Sequence, residues 1–419
     1  MTAKAFRPGL PHRLWRLLPA RQRRRVIGGM AALLAPRIAH DAPRARMGLA
    51  VAGELSRISG LGEGARLMLR ALEQLQVAHW ALDVSGHLPA AGGTAAENPL
   101  PPDGVPLVSH VNAPLLPWVL LRLPRGLPRG RRMIGYWSWE LPDAPPEWRA
   151  GARFVHEVWV PSAFTAAAIE PLLPGRVRVV PHPLAVAPPL PLALGRAAFG
   201  LSADAVVILV SMNLASSLER KNPLAAIAAF RAAFGDRRDR ILLLKITNPD
   251  HFPADFARIA AAAQAPNIRI DTQPHPAGVS HALTAAADIV LSLHRSEGFG
   301  LVLAEAMLLG KPVIATGWSG NMTFMDTRSA ALVRHRLIPV HDPRQVYHGS
   351  YWAEPDQDEA VFHLRRLADD AGARAALGAR ARSHASEQLS AAPLAAALQA
   401  LGLAVPALGM PVQKPSLGL

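Results

Sequence analysis

The chain has 419 residues, half of them apolar and 18% charged, enough for two or three domains with large cores. It has no cysteine, which excludes disulfides, thiolate metal sites and a cysteine nucleophile. The net charge of +14 is uneven: residues 1–46 carry eleven basic side chains and one acid, Asp41, and so supply +10. The remaining +4 is spread over the rest of the chain, so nucleic-acid binding by its body is not implied.

In the basic extension, residues 1–46, the cations alternate with Leu14, Trp15, Leu17, Leu18, Val26, Ile27 and Met30. Basic amphipathic segments lie on anionic membrane surfaces, and that is the expectation here, against a plain basic tail as the alternative. Pro8, Pro11, Pro19 and Pro36 break the segment and exclude one long helix. No uncharged apolar run reaches the roughly 18 residues of a spanning helix. The stretch VIGGMAALLA (26–35) is short, and no signal-peptide cleavage site follows it. A cytoplasmic protein, peripheral at the inner face of the membrane, is expected.

From residue 47 short apolar runs alternate with helical patterns. MGLAVAG (47–53) reads as a strand, GARLMLRALEQL (64–75) as an amphipathic helix, and EVWVPS (157–162) and VRVVPHP (177–183) as strands. A second series follows: strands AVVILVSM (205–212), ILLLKIT (241–247), NIRID (267–271), DIVLSL (288–293) and PVIAT (312–316), with a helix at 222–234 opened by Pro223. Continuous apolar strands alternating with helices imply α/β domains with parallel sheets covered on both faces. Two Rossmann-like domains are expected, at 47–187 and 188–388, joined by the Pro-rich stretch PHPLAVAPPLPL (181–192). Residues 389–419 are read as a C-terminal helix and tail, without pattern from 402 onward.

Ligands of open α/β sheets bind beyond the carboxyl ends of the strands, and the chemistry-bearing residues fall there. After DIVLSL comes SEGFGLVLAEAMLLGKPVIATGWSGN (296–321). Gly298 and Gly300 allow close approach of the backbone, and the helix that follows offers free N–H groups to a diphosphate. Glu297 before that helix and Glu305 within it can accept hydrogen bonds from the hydroxyls of a sugar and a ribose. Arg220 and Lys221 precede the helix at 222–234, where fixed cations can stabilise a departing diphosphate without a metal. SGLGEGAR (59–66) places Gly60, Gly62 and Gly64 in a flexible loop at a helix start. Its spacing is not G-x-G-x-x-G and only Asp83 follows at the right distance, so a nicotinamide site is not supported.

The two glutamates of EGFGLVLAE, separated by seven residues, resemble the signature of glycosyltransferase family 4, retaining enzymes of the GT-B fold. The resemblance implies two Rossmann-like domains facing across a cleft and a nucleotide-diphosphate sugar as donor. It implies that Glu297 contacts the donor sugar and Glu305 the ribose, with the loop of Gly298, Phe299 and Gly300 at the donor. Lys221 carries over as the diphosphate cation. The family's usual Arg, five residues before that Lys, is matched here by Ser216, and Arg220 is the adjacent substitute, as in a bacterial polysaccharide-type subgroup. Gly60 and Gly62 correspond to a loop facing the donor, and Ser319 and Gly320 to the glycine pair that holds its phosphate. SHVNAP (109–114) resembles the family's His-x-Asn-Ala-Pro segment and places His110 near the transferred sugar. Trp137, Trp139 and Glu140 either line the acceptor cleft or belong to the core. No cofactor and no metal is expected; Asp356 and Asp358 read as the opening of a surface helix. The expected function is transfer of a hexosyl group, with retention, to a glycan or lipid-linked acceptor in polysaccharide biosynthesis. A non-catalytic sugar-nucleotide-binding paralogue and a membrane-surface or nucleic-acid-binding protein are the alternatives.

Overall fold

The structure, a computed structural model, describes residues 20–88 and 99–406, with side chains from Val26 onward. Leu14, Trp15, Leu17 and Leu18 of the basic extension, and residues 407–419, lie outside this range.

Two six-stranded sheets form the molecule. The first has strands β1 (Leu49–Gly53), β2 (His79–Asp83), β3 (Leu107–Ser109), β4 (Met133–Tyr136), β5 (Glu157–Val160) and β6 (Val177–Val179), in the spatial order β2-β1-β3-β4-β5-β6. The second has β7 (Val206–Asn213), β8 (Arg240–Thr247), β9 (Ile268–Asp271), β10 (Ile289–Ser292), β11 (Val313–Thr316) and β12 (Ala331–Val333), ordered β12-β11-β10-β7-β8-β9. Every pairing within both sheets is parallel. Strand order reverses at β1/β3 in one sheet and at β7/β10 in the other, and these switch points open the crevices where ligands of such folds bind.

Local chemistry explains the elements. The β-branched run VVILVSMN of β7 is buried along its first five residues, as a strand covered on both faces requires. Helix α1 (Ala20–Leu34) fits between Pro19 and Pro36. Helix α2 (Gly60–Gln74) is capped by Ser59, whose hydroxyl accepts the Gly62 N–H at 3.0 Å. The expected glycine-rich loop is therefore the first turn of this helix: the cap fixes Gly60, Gly62 and Gly64 in helical conformation. Gly62 is needed for packing, since a β-carbon there would lie 2.3 Å from the Glu54 carbonyl oxygen.

Residues 181–192 form no free hinge. The Ala185 N–H donates to the Leu389 carbonyl and the Leu192 N–H to the Gly278 carbonyl, both at 3.0 Å. The C-terminal helix Ala392–Ala400 crosses back to the first domain, where Leu394, Leu398, Leu401 and Leu403 pack with β1 residues Leu49 and Val51. Leu403 is thus core, not tail. A two-stranded antiparallel hairpin, β13 (His335–Pro339) and β14 (Tyr351–Pro355), leaves the second domain and buries Tyr347 and Trp352 against the first. Asp356 caps the helix Gln357–Asp369 by accepting the Glu359 N–H.

Candidate active site

The two switch points face each other, and their loops carry the site. Helix Leu301–Leu308 starts after Gly300, whose φ of +99° is open to glycine at little cost. Its first residue, Leu301, would be 3.9 Å from a β-carbon on Gly60 at the start of α2. Two helix N-termini, one from each domain, therefore converge, and both favour anions.

Beside them, Glu297 sits in a buried ion-pair cluster. Its carboxylate accepts a hydrogen bond from Arg220 at 3.2 Å and a short one from Lys221. Its backbone N–H donates to Ser319 Oγ at 2.8 Å. Burial by itself raises the carboxyl pKa, but Lys221 and Arg220 outweigh it and hold Glu297 at about 2, ionised at any working pH. Arg220 is 3% exposed. Its guanidinium also donates to the carbonyls of Ser296 at 2.7 Å and Ser216 at 3.2 Å, lies 5.6 Å over the Tyr347 ring, and approaches Glu140 to 4.0 Å. Burial raises the pKa of Glu140 and Tyr347, which are hydrogen-bonded to each other.

The loop between β10 and the helix is shaped tightly. A β-carbon on Gly320 would stand 2.1 Å from the Gly298 carbonyl oxygen, and one on Gly298 would stand 2.5 Å from Ser138 Oγ. Ser319 has φ of +80°, and its hydroxyl is spent on Glu297. Phe299 is turned inward, with ring centroids 4.9 Å from both His182 and Phe324, so its backbone alone faces the crevice. Glu305, one turn further along, receives no side-chain hydrogen bond among the described residues. Burial, with Glu63 adding, raises its pKa to about 7.

His110 follows β3 and is fully buried. It stacks on Tyr136 with centroids 4.3 Å apart, and neither ring nitrogen has a partner. Burial and the neighbouring His182 push its pKa well below the usual value, so it is neutral. Gly64 leaves room for the pair: a β-carbon there would reach 2.4 Å from His182 Cε1.

The structure thus gathers Glu297, Arg220, Lys221, Ser319 and Gly320 into one cluster, with Gly298, Gly300, Gly60 and Glu305 along the adjoining helix starts. Trp137 is fully buried core, whereas Trp139 borders a cavity and Glu140 belongs to the cluster. Sequence reading missed Tyr347, His182 and His294, whose Nε2–H donates to Asn321 Oδ1 at 3.1 Å and towards the Trp318 carbonyl at 3.4 Å. No local spacing marks Tyr347 and His182, which reach the site from distant parts of the chain, whereas His294 stands three residues before Glu297 on the loop after β10.

The family described as "Family 4 Glycosyltransferase in conflict systems" matches residues 175–398. A D-inositol 3-phosphate glycosyltransferase of Nocardioides sp. is 30% identical over 226 residues, 51% of this chain and 45% of that protein. Its namesake from Thermobispora bispora is 30% identical over 206 residues, 47% of this chain and 43% of that protein. The matched region is under half the length of these relatives. Among solved structures, sucrose-phosphate synthase of Thermosynechococcus elongatus superposes with a TM-score of 0.60 at 18% identity, covering 85% of this chain and 98% of that one. The trehalose-6-phosphate synthase OtsA gives 0.59 at 12% identity, over 85% and 99%. These structures share the fold, two Rossmann-like domains facing across a cleft. The family match covers more than half of the chain and includes Arg220, Lys221, Glu297 and Glu305, and the chain therefore belongs to glycosyltransferase family 4, with the GT-B fold.

Proposed function

We propose that this protein transfers a hexosyl group from a nucleotide-diphosphate sugar to a glycan or lipid-linked acceptor, with retention. The observation that carries the reading is the buried Arg220–Lys221–Glu297 cluster beside two converging helix N-termini. The diphosphate would sit at those termini and take Arg220 and Lys221 as counter-ions. Glu297, released from them, would accept hydrogen bonds from the donor sugar, and Glu305 from the ribose. Retention is supported by the two groups expected at the transferred sugar: Glu297 is held at a low pKa and His110 is a weak base. In that reaction the bond from the sugar C1 to the diphosphate oxygen breaks, the acceptor oxygen bonds C1 on the same face, and its proton passes to the departing diphosphate.

A peripheral membrane location supports a lipid-linked acceptor for polysaccharide biosynthesis at the cytoplasmic face. No helix among the described residues is long and apolar enough to cross a membrane. Helix α1 carries exposed apolar residues, Val26, Ile27, Met30, Leu33 and Leu34, while its Ala31 is buried. Arg21, Arg23, Arg24 and Arg25 precede them.

The test is a thermal-shift screen of sugar nucleotides, since a ligand of the native state raises stability, followed by turnover and the anomeric configuration of the product. Lys221→Ala should bind the donor but lower turnover about 10²–10³-fold, as loss of a transition-state charge partner does, and magnesium should not restore it. Absence of turnover with every donor would leave a binding protein, and loss of wild-type activity in EDTA would refute the metal-free reaction. Co-sedimentation with anionic vesicles at low salt should be lost when Arg23, Arg24 and Arg25 are replaced by Ser.

A further inference from the structure

The connection between β13 and β14, residues 340–350, reaches the ion-pair cluster from outside both six-stranded sheets. Asp342, itself buried, gives it shape: one carboxylate oxygen accepts the backbone N–H groups of Val346 and Tyr347 at 2.9 and 3.1 Å. Further contacts tie the connection down. Arg344 donates to the Leu214 carbonyl at 2.9 Å and lies 4.1 Å over the Phe252 ring. Ser350 donates to Asp143 of the first domain at 2.8 Å. At the start of the return strand, the Ala353 N–H donates to the Arg295 carbonyl at 2.9 Å, and the Arg295 N–H donates to the Arg220 carbonyl at 2.7 Å. The connection is thus a strap held by both domains and fastened to the turn that carries Arg220.

The strap delivers Tyr347 between Trp139 of the first domain and Trp352 of β14, with ring centroids 5.6 and 6.4 Å away. The Tyr347 ring lies 5.6 Å under the Arg220 guanidinium, within reach of a cation–π contact. Its hydroxyl donates to the Glu140 carboxylate, which stands 4.0 Å from the same guanidinium. Arg220 therefore has an aromatic face beneath it, a first-domain carboxylate at one edge, and the carbonyls of Ser216 and Ser296 at the others. Glu140 and Asp143 share one first-domain loop, so the loop that meets Arg220 also anchors the strap. A cation stabilises a developing anion best when its position is fixed beforehand, because no reorganisation is then needed during the reaction.

We propose that Tyr347 is a positioning residue for the donor diphosphate: through the Glu140 carboxylate and its own ring it holds the Arg220 guanidinium in the orientation that meets the anion. The inference rests on the transferase reading above and assigns a further residue to that site. Tyr347 itself does not touch the donor; it acts through Arg220.

The experiment is a double-variant cycle on the full chain, with inorganic pyrophosphate as the probe and binding read by titration calorimetry. Tyr347→Met keeps apolar bulk in the core but removes the ring face and the hydroxyl. It should weaken pyrophosphate binding about tenfold in the wild-type background and in Lys221→Ala, but less than about twofold in Arg220→Met, where there is no guanidinium to hold. Tyr347→Phe, which keeps the ring, should bind more tightly than Tyr347→Met. Asp342→Asn loosens the strap without removing a contact of the cluster. It should reproduce the pattern, and it carries the test if Tyr347→Met fails to fold by circular dichroism. A loss of equal size in Arg220→Met would overturn the proposal, because Tyr347 would then serve the fold alone. So would pyrophosphate binding that neither variant weakens, or a wild type that does not bind pyrophosphate. A coupled loss without turnover of any sugar nucleotide would sink the transferase reading and leave the positioning role standing; turnover with uncoupled losses would do the reverse.

Discussion

Ser162 of the first domain donates a hydrogen bond from its hydroxyl to the Gly298 carbonyl oxygen of the second domain at 2.8 Å. Thr165 reaches the same oxygen at 3.3 Å and also donates to the Trp139 carbonyl at 3.0 Å. The residue next to Glu297 is therefore clasped from across the cleft by two hydroxyls, and the position of the sugar-side carboxylate depends on how the domains meet.

Replacing Ser162 by Ala should cost about 1 kcal/mol of stability, the net worth of one hydrogen bond. Adding Thr165→Val leaves the buried oxygen without either hydroxyl and should cost about 1–3 kcal/mol more. Denaturant unfolding of the single and double variants checks this; additive small losses in the double variant would show that the clasp is not a unit.

Glu297→Gln removes the carboxylate that neutralises Arg220 and Lys221. Breaking a buried pair leaves an uncompensated charge, so the variant should lose about 3 kcal/mol as well as turnover. Added donor should restore part of the melting temperature, because the diphosphate supplies the missing negative charge. A variant with wild-type stability and rate would make the cluster incidental.

Glu305 gives donor binding a pH dependence. Its raised pKa, about 7 against the ordinary 4.5, means the folded protein holds this proton more tightly than the unfolded chain. That contribution to stability is fully present below pH 4.5 and is lost as pH rises through 7. Binding of ribose hydroxyls needs the carboxylate, so donor affinity should fall up to about tenfold per pH unit below pH 7. A sugar nucleotide has no phosphate group titrating there. Calorimetric titration at several pH values should show the slope in the wild type and a flat profile in Glu305→Gln.

Gly320→Ala tests the loop itself. The new methyl would sit 2.1 Å from the Gly298 oxygen and 2.3 Å from its carbonyl carbon, against backbone that cannot yield without moving the loop. Donor affinity should drop at least tenfold while the fold persists, measurable by calorimetry alongside circular dichroism. Unchanged affinity would mean that the loop adjusts without touching the donor.

The amino-acid sequence by itself determined the two α/β domains and most of their strands. Runs such as VVILVSMN (206–213) and RILLLKIT (240–247) are buried on both faces, and burial writes itself into composition. Glu297, Arg220, Lys221 and the loop glycines were legible because each stands at a strand end or helix start, where backbone geometry restricts the residue type, and Glu305 by its spacing from Glu297. Tertiary structure alone decided what those residues do to one another. Nothing in the spacing of Arg220 and Lys221 pairs them with Glu297, which is 76 residues beyond Lys221. The glycine run at 60–64 reads locally as a loop, yet the Ser59 cap and close packing hold it as helix. Tyr347 and His182 left no local signal, and the expected C-terminal helix, Ala392–Ala400, gave none of where it packs, because a side chain that serves a distant element is constrained by contacts across the fold and not by its neighbours in the chain.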